Sequence, residues 1–352
     1  MEILSTSDSD LEKAAAALAG GLLVAFPTET VYGLGADAFN PSAIARIFEA
    51  KNRPHFDPLI IHIAEMEALF RVINTAKLND AAKERLSVLS QKLWPGPLTL
   101  ILPKRNEIPG LATAGLPTAA VRFPSHPAAQ KLILLSTGAI AAPSANPFGC
   151  LSPTRAEHVK AMLGEKADYI IDGGKTLVGI ESTVLDLSRD PPRILRPGGT
   201  PREAIEALIG AVELSLPFLD KTQENNVTPL SPGQLKSHYA PRTPLVLYRR
   251  GELASLTGLP GESREGREGR EGRLFFTAPQ NAAREDSAPG KSSPETRILS
   301  KTGDLREAAA NLFDMLHELD SLGLHLIRAE EAPENGLGIA INDRLRRAAD
   351  RG

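Results

Sequence analysis

A series of short segments sets hydroxyls and cations beside glycine or proline: Pro27-Thr28-Glu29-Thr30-Val31-Tyr32-Gly33-Leu34-Gly35; Lys51-Asn52-Arg53-Pro54, running on to Asp57 and His62; Trp94-Pro95-Gly96-Pro97-Leu98-Thr99; Thr118 with Val121-Arg122-Phe123-Pro124; Pro143-Ser144-Ala145-Asn146; Leu151-Ser152-Pro153-Thr154; Glu181-Ser182-Thr183-Val184; and Arg196-Pro197-Gly198. Lys51, Arg53, Arg122 and Arg196 supply positive charge for phosphates or a carboxylate, and a guanidinium binds either with two parallel hydrogen bonds. Thr28, Thr30, Ser144, Ser152 and Ser182 add neutral donors. Arg122 and Arg196 each end an apolar run, where a charge is half buried and needs an anionic partner. Together these residues describe an anion site. No nucleophile–base pair stands out, which points to catalysis by positioning and electrostatics, as in transfer at phosphorus. Taken singly, each segment has a plainer reading, because Ser, Thr, Asn and Asp beside Pro or Gly are usual turn and cap residues. Ser152 could simply cap a helix opening at Thr154, and Arg53 could be a solvated surface charge.

Two other glycine patterns fail on context. Gly33-Leu34-Gly35-Ala36-Asp37-Ala38 fits a dinucleotide fingerprint, but that turn must follow its strand directly and open a helix. Here the polar stretch 27–32 intervenes, and the next helix signal waits until Asn40. Gly173-Gly174-Lys175-Thr176 resembles the end of a phosphate-binding loop whose first glycine would fall on Tyr169. The histidines show no metal-binding spacing, and no G-x-S-x-G elbow is present.

The elements that must hold these segments alternate between helical and extended patterns over the first two hundred residues. Helices are expected at 8–18, from Pro41 to about Ala50 with Asn40 as cap, at 79–93 and at 154–163. Thr200-Pro201-Arg202-Glu203 reads as a capping box opening a further helix. Apolar runs at 22–26, 59–63, 99–102, 119–123, 139–142, 169–171, 184–187 and 193–195 read as strands. Several follow one another without a helix between them, so an α/β fold with a mixed sheet is expected. Strand ends and their loops are where such folds bind ligands. The catalytic domain is placed at 1–210, and a linker rich in proline and polar residues at 211–243. A small α/β domain is placed at 244–352, with strands at 245–248, 274–277 and 324–327 and helices at 304–322 and 339–349. Its Arg-Glu-Gly repeats near 262–273 are a low-complexity insertion with nothing to bury, and 281–295 reads as a loose stretch.

The bulk numbers are those of an ordinary globular protein: 352 residues, 42% hydrophobic and 24% charged. Residues 1–200 carry 20 basic and 20 acidic side chains, so bulk charge makes neither half a nucleic-acid grip. A single cysteine, Cys150, rules out an internal disulfide or a cysteine-rich zinc site and fits a reducing, cytoplasmic setting. The acidic, polar start is not a secretory signal, and no apolar run reaches membrane-spanning length.

The order of motifs closely resembles the threonylcarbamoyl-AMP synthase (YrdC-like) family in its long, two-domain form. The matching pieces are PTETVYGLG (27–35), KNRP (51–54), WPGPLT (94–99), VRFPSHP (121–127), APSAN (142–146), SPT (152–154), GIESTVLD (179–186), RPG (196–198), SPGQLKSHYAP (231–241) and GLGIAINDRLRRAA (336–349). The resemblance implies a YrdC-like catalytic domain with an open, twisted mixed sheet, a lid-like linker and a smaller Rossmann-like α/β domain. It also implies a nucleotidyltransferase that joins L-threonine, bicarbonate and ATP, with Mg2+, into threonylcarbamoyl-AMP and pyrophosphate. That product is the donor for t6A at position 37 of ANN-decoding tRNAs, through a downstream tRNA threonylcarbamoyl transferase complex; direct tRNA contact is left open.

By the same resemblance threonine meets Thr30, His62, Arg122, Ala142 and Ser182, with Arg122 on its carboxylate. ATP meets Arg53, Asp57, Thr118, Ser144, Asn146, Ser152, Arg196 and, from the linker, Tyr239. Lys51 and Arg53 are the expected catalytic residues; metal ligands are not assigned. Two departures stand out. Pro147-Phe148-Gly149-Cys150-Leu151 replaces a usual serine-glycine approach, and Asp57 stands where asparagine is common. Rival readings are an RNA-binding protein, a nucleotide sensor without turnover, and a carbamoyltransferase of metal-centre maturation. The last resembles larger chains with cysteine-rich zinc modules, which one cysteine cannot build.

Overall fold

The computed structural model describes residues 1–215, 231–233, 239–250, 252, 270–279 and 294–350. The chain divides into one unit of Met1–Phe148 with Ser152–Leu235 and another of Gly149–Leu151 with Lys236–Gly352.

Local chemistry sets the helices of the first unit. In α1 (Asp8–Ala19) the Ser7 side chain accepts from Asp10 N, and Leu11, Ala14, Ala15 and Leu18 form the buried stripe. In α2 (Pro41–Lys51) the Asn40 side chain accepts from Ser42 N and Ala43 N, with Pro41 at the first position. Asn52 ends α2 in the left-handed region at φ 51°, which leaves Lys51 buried in the last turn. The remaining helices are α3 (Met66–Val72), α4 (Asp80–Leu93), α5 (Pro127–Leu135), α6 (Ala156–Leu163) and α7 (Arg202–Ile209).

Among the described residues the strands of this unit are β1 (Glu2–Leu4), β2 (Val24–Phe26), β3 (Gly33–Asp37), β4 (Ile60–Ile63), β5 (Leu98–Pro103), β6 (Thr118–Arg122), β7 (Ala139–Ala142), β8 (Tyr169–Ile171), β9 (Thr183–Asp186), β10 (Arg193–Arg196) and β11 (Glu213–Leu214). They form one sheet in the order β1-β8-β2-β3-β7-β4-β6-β5-β9-β10-β11. Pairings are mixed: β4/β6 and β5/β9 run parallel, whereas β5/β6, β4/β7 and β9/β10 run antiparallel. One face carries the main core under α2, α3, α4, α6 and α7. On the other, α1 and α5 cover Val24, Phe26, Ile140 and Ala142. A small separate cluster, Ile60, Ile101, Ala120, Val184 and Leu195, lies beyond the apolar cover of those two helices.

The second unit has β12 (Leu245–Tyr248), β13 (Glu271–Phe275), β14 (Glu295–Ile298) and β15 (Leu326–Glu330), all parallel, in the order β12-β15-β13-β14. Helices α8 (Leu305–Ser321) and α9 (Leu337–Ala349) complete it.

The mixed α/β class expected from sequence is present, with local corrections. Thr200 forms no capping box: α7 starts at Arg202 with Pro201 before it, and Thr200 instead exchanges hydrogen bonds with Thr183. The insertion expected at 262–273 ends earlier, because Glu271, Gly272 and Arg273 belong to β13; residues 262–269 lie outside the described residues. Glu295, placed in a loose stretch, opens β14, and Glu213–Leu214, placed in the linker, pairs with β10. Strands β1 and β3 and helices α3 and α5 were not expected. β3 is hidden in composition because its glycine positions pack too tightly for side chains. A Cβ on Gly35 would stand 2.8 Å from Ile140 Cγ2 and 2.9 Å from Phe26 Cε1. Its glycines therefore lie in a strand, which disposes of the dinucleotide fingerprint.

Gly198 brings the chain after β10 against β9. A Cβ there would lie 2.3 Å from Glu181 O and 2.4 Å from Ser182 C, both backbone atoms that cannot swing away. Gly198→Ala is therefore expected to cost roughly 1–3 kcal/mol, read as a lower unfolding midpoint in thermal denaturation; an unchanged midpoint would contradict this packing.

Candidate active site

Several of the sequence-picked residues border the apolar cluster on β4, β6 and β5. Register places Ile60, Ala120 and Ile101 side by side across β4, β6 and β5, and two residues further along come His62, Arg122 and Thr99. Residues two apart on a strand share a face, so Thr118, Ala120 and Arg122 line up on it. The apolar cluster is thus a floor, with Thr118 at one end and Arg122 with His62 at the other, on the order of 13 Å apart along β6.

Arg122 is only 4% exposed. Its Nη1 donates to Thr30 Oγ1 at 2.9 Å, and Thr30 Oγ1 lies 2.9 Å from Thr28 Oγ1. Its Nη2 is 2.7 Å from Glu29 Oε1, a buried ion pair. Arg122 Nε and Nη2 and both carboxylate oxygens of Glu29 are buried and make no hydrogen bonds. His62 is buried beside this group, with Nδ1 3.1 Å from Ile60 O. Burial, reinforced by the Arg122 charge, pushes its pKa down to about 3, so the imidazole is neutral.

A second group gathers cations. Lys51 Nζ donates to the carbonyls of Ser144 and Asn146, tying the end of α2 to the loop after β7. Arg53 donates to the carbonyls of Asp57 and Pro58 and pairs with the Asp57 carboxylate at 2.8 Å. Burial raises the Asp57 pKa, opposed by the charges of Arg53, Lys51 and Arg196. Arg196 donates to Ser182 O and Ser182 Oγ, and its Nη1 to the carbonyl of the linker residue Pro232.

Ser182 joins the two groups. Its hydroxyl is 2.7 Å from Thr99 Oγ1, and Thr99 is the register partner of Arg122. Ser152 Oγ donates to Glu181, so Ser152 is not the cap of α6; Arg155 stands at that position.

Thr30, His62, Arg122 and Ser182 therefore fall together, as do Lys51, Arg53, Asp57, Ser144 and Asn146, with Arg196 touching Ser182. Ala142 pairs in register with Ile60, and Ser144 bridges Gly33. Tyr239 belongs to the second unit. There it is buried in the left-handed region at φ 65°, its ring centroid 5.6 Å from that of Phe313 and 5.2 Å from the Arg344 guanidinium. Two residues were overlooked as site members, Glu29 and Glu181. A carboxylate between two threonines in a segment with few other charges was the available signal for Glu29. Among the described residues no group of three or more His, Cys, Asp or Glu side chains could hold a metal ion.

Comparison with known proteins decides the family. The Sua5/YciO/YrdC family model, described as "Telomere recombination", matches residues 16–198, and the model "Threonylcarbamoyl-AMP synthase, C-terminal domain" matches residues 200–350. The chain belongs to the threonylcarbamoyl-AMP synthase family. Threonylcarbamoyl-AMP synthase of Pyrococcus abyssi is 42% identical over 330 residues, covering 94% of this chain and 91% of the relative. That of Bacillus subtilis is 42% identical over 347 residues, covering 98% and 94%. The crystal structure of P. abyssi Sua5 complexed with L-threonine superimposes with a TM-score of 0.85 at 38% identity, covering 99% of this chain and 98% of that one. No described helix is long and apolar enough to cross a membrane.

The neutral His62 gives the family fold a pH signature here. Its folded pKa lies below the unfolded value of about 6.5, so between those values the unfolded chain binds the extra proton and stability falls as pH drops. His62→Gln is expected to flatten up to about 2 kcal/mol of the stability loss between pH 6.5 and 4.5. Chemical denaturation at both pH values reads it; parallel losses in variant and wild type would contradict a buried neutral imidazole.

Proposed function

We propose that this protein converts L-threonine, bicarbonate and ATP into threonylcarbamoyl-AMP and pyrophosphate, the donor for t6A at position 37 of ANN-decoding tRNAs. One observation carries the reading. The buried Arg122 guanidinium keeps Nε free of hydrogen bonds beside its ion pair with Glu29, and Ser182 links its neighbourhood to the Lys51, Arg53 and Arg196 cations. A carboxylate receptor adjoining a phosphate receptor suits an amino acid and a nucleotide bound side by side. The printed names of the relatives and the threonine complex of P. abyssi Sua5 support the same substrates.

In this reading Arg122 takes the threonine carboxylate, with Thr30, His62, Ala142 and Ser182 around the rest of the molecule. The carbamate formed there attacks the ATP α-phosphorus in line and expels pyrophosphate. Lys51 and Arg53 neutralise phosphate oxygens as charge passes to the leaving group. Asp57, Thr118, Ser144, Asn146, Ser152 and Arg196 hold the nucleotide along the apolar floor. Magnesium bound with ATP would supply charge neutralisation at the phosphates. Asp57 is the carboxylate within the cation group and would supply at most one ligand, leaving phosphate oxygens and water for the rest, the usual habit of Mg2+ at nucleotides.

Closure by the linker is part of the proposal, since carbamate and adenylate both hydrolyse unless water is excluded. Ser231, Pro232 and Gly233 are buried, and Pro232 O accepts from Arg196. The product would pass to a tRNA threonylcarbamoyl transferase complex in a cytoplasmic setting, which the single cysteine supports.

Purified protein with ATP, Mg2+ and bicarbonate is expected to release pyrophosphate only when L-threonine is added. Arg122→Ala should lower kcat/KM for threonine by roughly a hundredfold or more. ATP binding with no threonine-dependent turnover would favour a nucleotide sensor or an RNA-binding role instead. In the same assay Tyr239→Ala should raise the KM for ATP or slow turnover; no change in either would remove Tyr239 and the linker from the mechanism.

A further inference from the structure

Resting on that reading, we infer that Glu29 receives the α-ammonium of the amino-acid substrate and takes one of its protons. Glu29 is 5% exposed, and its backbone is fixed by Val178 N donating to Glu29 O at 2.7 Å. A buried carboxylate normally collects hydrogen bonds to offset desolvation. Both oxygens of Glu29 make none, although Oε1 is 2.7 Å from Arg122 Nη2. Beyond that one ion pair, Arg122 Nε and the second Glu29 oxygen have no partner among the described residues, a free donor and a free acceptor on adjoining side chains. An α-amino acid is the complement of that arrangement, because its own carboxylate and ammonium sit on one carbon. With Arg122 on the carboxylate, Glu29 is the adjoining anion.

The chemistry needs such a group. Threonine enters as an ammonium, which has no lone pair to give. His62 is a poor base, its pKa pushed down by burial and its Nδ1 engaged with Ile60 O. Asp57, ion-paired like Glu29, is paired with Arg53 in the cation group rather than with Arg122, and Glu181 accepts from Ser152. In the step proposed, one ammonium N–H bond breaks and its proton goes to a Glu29 oxygen. The nitrogen lone pair then forms the bond to the carbon of bicarbonate. The C–OH bond breaks, and hydroxide leaves as water with a second proton from nitrogen. Glu29 afterwards returns its proton to solvent. His126 stands nearby as the cap of α5. It is half-buried, with Nδ1 accepting from Ala128 N at 3.2 Å, and burial lowers its pKa against the opposing Glu29 charge. The capping bond leaves Nε2 as the nitrogen that carries hydrogen in the neutral ring.

A purely structural Glu29, present only to balance Arg122, would affect all carboxylate ligands alike. Calorimetric titration with L-threonine and with 3-hydroxybutyrate, which has hydrogen in place of the ammonium, separates the two roles. Wild type should prefer threonine by roughly tenfold or more, and Glu29→Gln should bring the two within about threefold. Threonine-dependent pyrophosphate release should fall by roughly a hundredfold, with ATP affinity retained as the check on folding. An unchanged preference in Glu29→Gln overturns the inference alone. Wild type that binds neither compound overturns the functional reading and the inference with it. Should Glu29→Gln not fold, Glu29→Asp carries the same comparison; partial loss of the preference is expected, and full retention overturns the role.

Discussion

A guanidinium with almost no access to water has to be balanced from within the protein, and Arg122 is balanced sparingly. One neutral hydroxyl, Thr30 Oγ1, and one carboxylate, Glu29, face it, while two of its nitrogens make no hydrogen bond. An uncompensated buried charge is expensive. The surrounding fold can be read as what makes that cost tolerable. Arg122 ends β6 between β4 and β5, so the sheet fixes its backbone and register fixes its neighbours. The Thr28 hydroxyl orients the turn by donating to Val31 O and accepting from Thr30 N and Val31 N.

The same constraint is met differently in the cation group. Lys51, Arg53 and Arg196 spend donors on backbone carbonyls of the loops that carry the other site residues. Those bonds shape the loops at Ser144–Asn146, Asp57–Pro58 and Ser182, and the concentrated positive charge is left to draw an anion. Ser182 then sits where the two groups meet. That is the position a transfer between an amino-acid derivative and a phosphate requires, because reacting atoms must be held within about 3–3.5 Å.

Much of this was legible in the sequence, since function here lies in short loops with strong local signals. Strand-terminal arginines announced their need for an anion, and Asn40-Pro41 announced α2, whose end buries Lys51. What escaped detection has physical reasons. β3 carries Gly33 and Gly35 on one face because Phe26 and Ile140 leave no room there, so it shows no run of large apolar residues. Thr200 looked like a cap, but its backbone N–H and C=O are held by the Thr183 hydroxyl, a tertiary contact no local rule can see. Glu29 carries little local signal as a site residue, because its meaning depends on Arg122, 93 positions later in the chain. The burial of Tyr239 against Phe313 and Arg344 is likewise a long-range fact, invisible in the linker's composition.

The central claim is that carbon from bicarbonate becomes bonded both to threonine nitrogen and, through oxygen, to the α-phosphorus of AMP within this site. Mass spectrometry of the products from 13C-bicarbonate, L-threonine and ATP tests it most directly. The account predicts a threonine-containing AMP adduct one mass unit heavier than the unlabelled compound, formed by wild type and lost in Arg122→Ala. Conversion of ATP without any labelled adduct would contradict it.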